Sequence, residues 1–178
     1  MLSQIVLCGP QAVGKTRLAR ILGENRDVSS YEQTEGVRIQ RIDRTVSCEK
    51  LIVELWDSGG DPQFQGTYQA VASSMDALVV CYDPEQPSHV SELEKWRTAF
   101  AGDRSVSVLL LALKKPESSN IAELTGSLKR FMNATVTFPS DSSNVQVTAD
   151  AADAVLERLL TQVLRRETEA EEAKVMSE

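Results

Sequence analysis

The segment Gly9-Pro10-Gln11-Ala12-Val13-Gly14-Lys15-Thr16 constrains the fold more than any other part of this sequence. It matches the pattern GxxxxGK[ST], and it follows an apolar run, Gln4 to Cys8, that is typical of a strand. After it, Leu18, Ile21 and Leu22 fall on one face of a predicted helix. A strand, a glycine-rich turn and a helix in this order predict a phosphate-binding loop, in which backbone N–H groups and the helix dipole face an anion.

Each position of this loop has a predicted role toward a nucleotide. Lys15 bridges the β- and γ-phosphate oxygens, and the Thr16 hydroxyl ligates Mg²⁺. The alternative is an accidental glycine-rich turn, which the strand and helix on either side argue against. The predicted phosphate contacts in the loop are Gly9, Gln11, Ala12, Val13, Gly14, Lys15 and Thr16.

A second motif, Asp57-Ser58-Gly59-Gly60, ends the apolar run Leu51 to Trp56. An Asp at the end of a strand, with Gly three positions later, is typical of a DxxG motif. There Asp57 holds Mg²⁺, commonly through water, and the Gly60 N–H donates to a γ-phosphate. Asp-Ser-Gly-Gly is also an ordinary turn composition, so the motif alone leaves that alternative open. Its distance along the chain from the phosphate loop favours the site.

The polar stretch Tyr31 to Val37 lies between the two motifs and enters a strand. Thr34 is placed to complete the Mg²⁺ shell, and Tyr31 to close over the phosphates. Both residues would be ordered only when a γ-phosphate is present, which is how a loop becomes a switch. A plain loop with a Thr at the strand entrance is the alternative.

Apolar runs alternate with helical patterns along the chain, which predicts βα units around a mostly parallel sheet. Ala77 to Tyr82 and Val106 to Leu113 are continuous apolar runs of the kind found in central strands covered on both faces. Asp43 to Lys50 suggests a hairpin link. Thr135 to Phe138 is the last predicted strand.

Helical spacing predicts three later helices. Ser88 is a candidate N-cap for a helix that carries Trp96 and Phe100, and the stretch from Ile121 to Phe131 repeats the pattern. A final helix begins at about Ala149. We expect residues 1–164 to form one domain and residues 165–178, which are polar and Glu-rich, to form a frayed or disordered tail.

Composition narrows the compartment and the partners. The 178 residues are 42% apolar, enough for one core, and the net charge of −7 comes without a long basic cluster, which argues against nucleic acid as a partner. Three cysteines, two of them in apolar runs, favour a reducing compartment. The sequence shows no secretion leader, no membrane span and no cysteine near residue 178, and Leu2 stands where myristoylation requires a glycine. We therefore expect a cytoplasmic protein without a lipid anchor.

Together the phosphate loop, Thr34-Glu35-Gly36-Val37, Trp56-Asp57-Ser58-Gly59-Gly60 and the βα alternation resemble the Ras superfamily, and Rab proteins most closely. The resemblance covers about Gln4 to Val163 and implies a P-loop NTPase small G domain. That fold is a six-stranded, mostly parallel sheet with helices on both faces, binding GTP or GDP with Mg²⁺. Thr16, Thr34 and Asp57 are then the metal ligands. With Pro87-Ser88-His89, the motifs resemble the family of Rab-like GTPase subunits of the intraflagellar transport B complex. This implies coiled-coil protein partners and a place in the cilium or flagellum and at its base.

The sequence departs from this family at the residues for hydrolysis and base reading. Asp61 stands where a Gln orients the attacking water, so no catalytic residue is assigned and hydrolysis should be weak or absent; Gln63 or Gln65 is a possible substitute. In place of NKxD, the chain has Lys114-Lys115-Pro116-Glu117. Lys115 would lie along the base and Glu117 would pair with guanine, with two surface lysines before a turn as the alternative.

Three function classes compete on this sequence. The preferred one is a GTP-loaded binding module in which nucleotide orders the switch loops. The second is a cycling GTPase that a partner's arginine accelerates, an effect of up to about 10³ to 10⁵ in rate. The third, an ATP-using kinase, lacks an Arg-rich lid segment and an acceptor motif.

Overall fold

The computed structural model describes residues 1–23, 33–115, 124, 126–138 and 145–176. Within these residues six strands form one sheet: β1 (Leu2–Cys8), β2 (Val37–Val46), β3 (Glu49–Ser58), β4 (Ala77–Tyr82), β5 (Ser107–Lys114) and β6 (Met132–Thr137). Their order across the sheet is β2-β3-β1-β4-β5-β6, and the β2–β3 pair is antiparallel while the other pairs are parallel. The predicted mostly parallel sheet is confirmed.

The sequence explains where these strands lie in the sheet. Every residue of β4 is buried, as are all but the last of β5, because both faces of these strands are covered. From Ile39 to Val46, strand β2 alternates exposed residues with half-buried or buried ones, as a strand at the sheet edge does. Ser47 and Cys48 form the predicted hairpin turn, and both have positive φ, 51° and 70°, which a two-residue turn between twisted strands requires.

Helices cover both faces of the sheet, as expected. The helices of the described residues are α1 (Lys15–Leu22), α2 (Tyr68–Ala72), α3 (Pro87–Ala101) and α4 (Val145–Val175), with 3₁₀ turns at Pro62–Thr67 and Gly126–Arg130. One apolar cluster joins α1 and α4 to one face, and a second joins α2 and α3 to the other. The phosphate-binding loop therefore leaves the sheet at the carboxyl end of its central strand.

Two local predictions about helices differ from the structure within its described residues. Helix α3 begins at Pro87 with Gln86 as its N-cap, so Ser88 lies inside the first turn. Proline is favoured there because the first helical N–H groups need no partner within the helix. The stretch predicted as a helix from Ile121 to Phe131 contains the 3₁₀ turn Gly126–Arg130, and residues 121–123 and 125 lie outside the described part.

Helix α4 is longer at both ends than its apolar stripe predicts. It begins near the end of β6, where the Thr148 hydroxyl donates to the Thr137 carbonyl at 2.8 Å, and it continues to Val175. Arg166 holds this second half to the sheet by donating to the backbone carbonyl and the side-chain oxygen of Ser105. The expected fraying is thus wrong for residues 165–175, while the domain boundary at 164 stays a prediction. None of the helices in the described ranges has the length and apolar character needed to cross a bilayer.

Candidate nucleotide-binding site

The loop between β1 and α1 has a backbone that only glycine adopts easily at two positions. Gly9 has φ 134° and Gly14 has φ 102°. A Cβ on Gly9 would lie 2.0 Å from the carbonyl oxygen of Cys81, and a Cβ on Gly14 would lie 2.7 Å from the ring of Phe138. The loop therefore lies directly against the carboxyl ends of neighbouring strands, which is where ligands bind in open α/β sheets.

Lys15 is buried inside this loop. It is 6% exposed, and its Nζ donates to the carbonyl oxygens of Gly9 at 2.9 Å and Pro10 at 2.7 Å. Burial lowers the pKa of Lys15, while the acidic groups of Cys81 and Asp57 act in the opposite direction. A partly desolvated ammonium enclosed by the loop is suited to an anionic ligand, since such a ligand would replace the lost hydration.

Asp57, Thr16 and Thr34 meet at one point, although they come from three separate segments. Asp57 Oδ2 accepts from the Thr16 hydroxyl at 2.6 Å and from the Thr34 hydroxyl at 3.0 Å, and the two hydroxyls are 2.8 Å apart. Asp57 is 1% exposed and Thr34 is 9% exposed. The structure thus brings together the three predicted metal ligands.

The donor set fits a magnesium ion. Asp57 Oδ1 is buried and has no hydrogen-bond partner among the described residues, so one carboxylate oxygen is left for a cation. Those residues contain no cluster of three or more His, Cys, Asp or Glu side chains that could hold a metal by themselves. One carboxylate with two hydroxyls is the kind of incomplete oxygen shell that Mg²⁺ fills with water and phosphate oxygens.

The two predicted switch segments touch each other and the phosphate loop. The Gly59 N–H donates to the Gly36 carbonyl at 2.7 Å, and a Cβ on Gly59 would lie 2.6 Å from the carbonyl oxygen of Thr34. A Cβ on Gly60 would lie 2.6 Å from the backbone nitrogen of Gln11. Gly60 is therefore beside the phosphate loop, where its predicted contact with a γ-phosphate requires it.

The residues that follow Gly60 form a 3₁₀ turn that begins at Pro62. Asp61 Oδ1 accepts from the Gln63 N–H at 3.0 Å, which starts the 3₁₀ turn, and Gln63 is exposed. The buried Tyr68 holds this segment by donating to the carbonyls of Gly59 at 3.3 Å and Asp61 at 3.4 Å. Neither Asp61 nor Gln63 lines the cavity described next, and the side chain of Gln65 lies outside the described part.

A cavity of about 490 Å³ opens along this edge of the sheet. One end contains the loop, Thr34 and Gly60, and the other contains Lys114 and Lys115 at the end of β5. Tyr31 and Glu117, predicted for switch and base contacts, lie outside the described residues. The described lining residues are Gln11, Ala12, Val13, Gly14, Lys15, Thr16, Arg17, Gln33, Thr34, Ser58, Gly59, Gly60, Asp83, Leu113, Lys114, Lys115 and Phe138.

Sequence reasoning missed Arg17, Asp83 and Phe138 among these lining residues. Arg17 directly follows the loop motif, and its guanidinium carbon lies 4.7 Å from the centre of the Phe138 ring. Asp83 follows β4, and Phe138 follows β6. Because carboxyl ends of parallel strands meet at one edge, the residue after each strand was the available signal for Asp83 and Phe138.

Comparison with known proteins agrees with this geometry. Residues 4–117 match the family model described as Ras of Complex, Roc, domain of DAPkinase. An intraflagellar transport protein 22 homolog of Danio rerio is 30% identical over 98% of this chain and 96% of its own length. The intraflagellar transport protein 22 homolog of Bos taurus is 33% identical over 66% of this chain and 68% of its own length. Intraflagellar transport protein 22 of Chlamydomonas reinhardtii is 36% identical over 55% of this chain and 53% of its own length.

Proposed function

This chain belongs to the Ras-like Roc family, and from that premise we propose that it is a GTP-binding, Rab-like subunit of the intraflagellar transport B particle. Its bound nucleotide serves to order the two switch segments, and hydrolysis is weak or absent. The single observation that carries this proposal is the hydrogen-bonded cluster of Thr16, Thr34 and Asp57. It joins the phosphate loop to both switch segments, so a ligand at this point acts on all three.

Phosphate binding rests on the loop and on Lys15. The loop N–H groups, Lys15 and the Gly60 N–H surround the cavity end where the β- and γ-phosphates would lie. Thr16, Thr34 and Asp57 would hold Mg²⁺. Its positive charge would offset the negative charge of the phosphate oxygens. The base belongs to the other end, where Lys115 lines the cavity and where Glu117 is our proposed guanine contact.

Slow hydrolysis follows from the segment after Gly60. A water-orienting side chain must donate and accept hydrogen bonds beside the γ-phosphate. Asp61 is acceptor-only when ionised, and its Oδ1 already accepts the Gln63 N–H. Asp61 therefore does not supply the water-directing hydrogen bonds that a Gln at this position would make.

The partner surface is the face of β2 and β3 beside the switch segments. Val37 and Trp56 are partly buried against the sheet, and Ile39, which pairs with Trp56 across the two strands, is 51% exposed. An exposed apolar row next to a nucleotide-dependent loop suits a helical protein partner. We propose coiled-coil subunits of the transport particle as that partner, in the cytoplasm, at the ciliary base and in the cilium or flagellum.

Calorimetry with those coiled-coil subunits tests the proposal. Wild-type protein loaded with GTP should bind more tightly than nucleotide-free protein by about 5- to 150-fold, the usual range of coupling between two sites. Lys15→Ala and Thr16→Asn should lose that gain, because they weaken phosphate and Mg²⁺ binding. The matched control is Lys95→Ala, on the exposed side of α3, which should keep it. Equal partner affinity in wild type and Lys15→Ala would refute a switching role and leave the loop a stabilising element.

A further inference from the structure

Arg17 and Phe138 form a wall of the cavity at the end of β5, and Arg17 directly follows Thr16 of the Asp57 cluster. The Arg17 guanidinium lies over the Phe138 ring at 4.7 Å, within the range of a cation–π contact. Phe138 is 8% exposed, lies against Gly14, and donates its N–H to the Lys114 carbonyl at 2.9 Å. The pair is therefore fixed to the phosphate loop on one side and to the end of β5 on the other.

The charged groups described at this end are mainly hydrogen-bond donors. Arg17, Lys114 and Lys115 line it and have no acceptor atoms in their side chains. Asp83 is the carboxylate among the described lining residues, and its Oδ1 accepts from the Glu85 N–H at 2.9 Å. A ligand edge with two adjacent acceptors matches such a surface better than an edge with an amino group.

Purine edges differ in this respect. Guanine and hypoxanthine present two acceptors, N7 and O6, whereas adenine presents the N7 acceptor and the N6 amino donor. The guanidinium of Arg donates two parallel N–H groups, which fits N7 and O6 together. An amino group facing the same side chains would set two donors against each other with no acceptor between them, which is unfavourable.

We propose that Arg17, held in place by Phe138, reads the N7 and O6 atoms of a 6-oxopurine nucleotide and thereby helps select GTP over ATP. This inference rests on the proposed function, since it names a base contact within the same site. It differs from the Glu117 proposal, because a carboxylate there pairs with guanine's N1 and N2 hydrogens on the opposite edge of the base.

Calorimetry with GTP, inosine triphosphate and ATP separates the two edges. Inosine triphosphate keeps N7 and O6 but lacks the amino group at C2. Arg17→Met should lower affinity for GTP and inosine triphosphate by about tenfold each, the scale of losing one two-donor contact, and affect ATP less than about threefold. The GTP-to-ATP ratio therefore falls while the ratio of GTP to inosine triphosphate stays constant.

Two further variants serve as controls. Arg20→Met makes the same change one turn along α1, outside the cavity lining, and should leave all three affinities unchanged. Arg17→Lys keeps the charge but replaces the two-donor fork with one ammonium, so it should lose most of the GTP-to-ATP preference. It also provides the measurement if Arg17→Met fails to fold, which thermal unfolding of each variant would report.

The possible outcomes are distinguishable. An equal loss for all three nucleotides in Arg17→Met would overturn the inference, because it would place Arg17 at the phosphates. Unchanged affinities would overturn it as well. Failure of the wild-type protein to bind any of the three would refute the proposed function itself, independently of Arg17. A change in the ratio of GTP to inosine triphosphate is expected for Glu117→Ala only.

Discussion

Replacing Gly60 with Ala should separate GTP binding from GDP binding. A Cβ at Gly60 would lie 2.6 Å from the Gln11 nitrogen, 2.7 Å from the Gly9 carbonyl oxygen and 2.7 Å from the Pro10 carbonyl carbon. These separations are roughly 1 Å shorter than ordinary non-bonded contacts. All three neighbours are backbone atoms of the phosphate loop, so the clash can be relieved only by moving the Gly60 segment away from that loop.

A displacement of that size removes a hydrogen bond from the Gly60 N–H to a γ-phosphate. Hydrogen bonds to charged groups contribute about 1.5–3 kcal/mol, so GTP affinity should fall by about 10- to 150-fold. GDP affinity should change by less than about threefold, since the loop itself holds the β-phosphate. Calorimetry of both nucleotides measures the two changes.

Gly66→Ala is the matched control. A Cβ at Gly66 has no heavy atom within 4 Å, and its φ lies outside the left-handed region, so neither affinity should change. An unchanged ratio of GTP to GDP affinity in Gly60→Ala would refute the reasoning, because the Gly60 N–H would then make no contact with the γ-phosphate. Thermal unfolding of both variants checks that the comparison concerns folded protein.

Three more predictions come from the site and the core. GTP hydrolysis by the isolated protein should be at or below about 10⁻⁴ s⁻¹ in single-turnover kinetics, and Asp61→Gln should raise the rate; a lower rate in Gln63→Ala, with Asp61→Gln unchanged, would show that Gln63 replaces the missing Gln. A thiol reagent at pH 8 should label the exposed Cys48 in native protein and all three cysteines after unfolding. Cys8 and Cys81 should be protected in native protein because burial raises the pKa of the Cys8 thiol and raises that of Cys81 to about 12. The free energy of unfolding should correspondingly fall as pH rises above about 8.5, since the unfolded chain releases those thiol protons first. Labelling of Cys81 in native protein would contradict the labelling prediction.

The sequence predicts the central strands well because they are marked by continuous burial. Ala77 to Tyr82 is both the predicted and the observed β4, since a strand covered on both faces leaves an uninterrupted apolar run. The ends of α4 were harder to predict. Its polar second half, from Arg165, has no apolar stripe, and its contact with Ser105 depends on tertiary proximity that no local pattern encodes.

The candidate site also contains residues that local patterns predict and residues that only the tertiary fold brings together. Lys15 and Thr16 lie in a motif whose spacing is fixed by the local turn, and the DxxG motif places Asp57 at the end of a strand, so their meeting could be anticipated from the two motifs together. Arg17 and Phe138 are 121 positions apart, and only the order of strands across the sheet brings them together. Contacts between side chains this far apart in the sequence are therefore visible in the fold before they are visible in a motif.

The direction of α4 determines how the protein can be handled in an experiment. The helix starts beside the end of β6, near the cavity, and Arg166 reaches Ser105, just before β5 begins, so it runs antiparallel to the strands. Its 31 residues span about 46 Å at 1.5 Å per residue. A sensor surface or fluorophore coupled beyond Val175 is therefore held near the amino ends of the parallel strands, away from the cavity. An immobilised protein then presents its open cavity to the flowing solution.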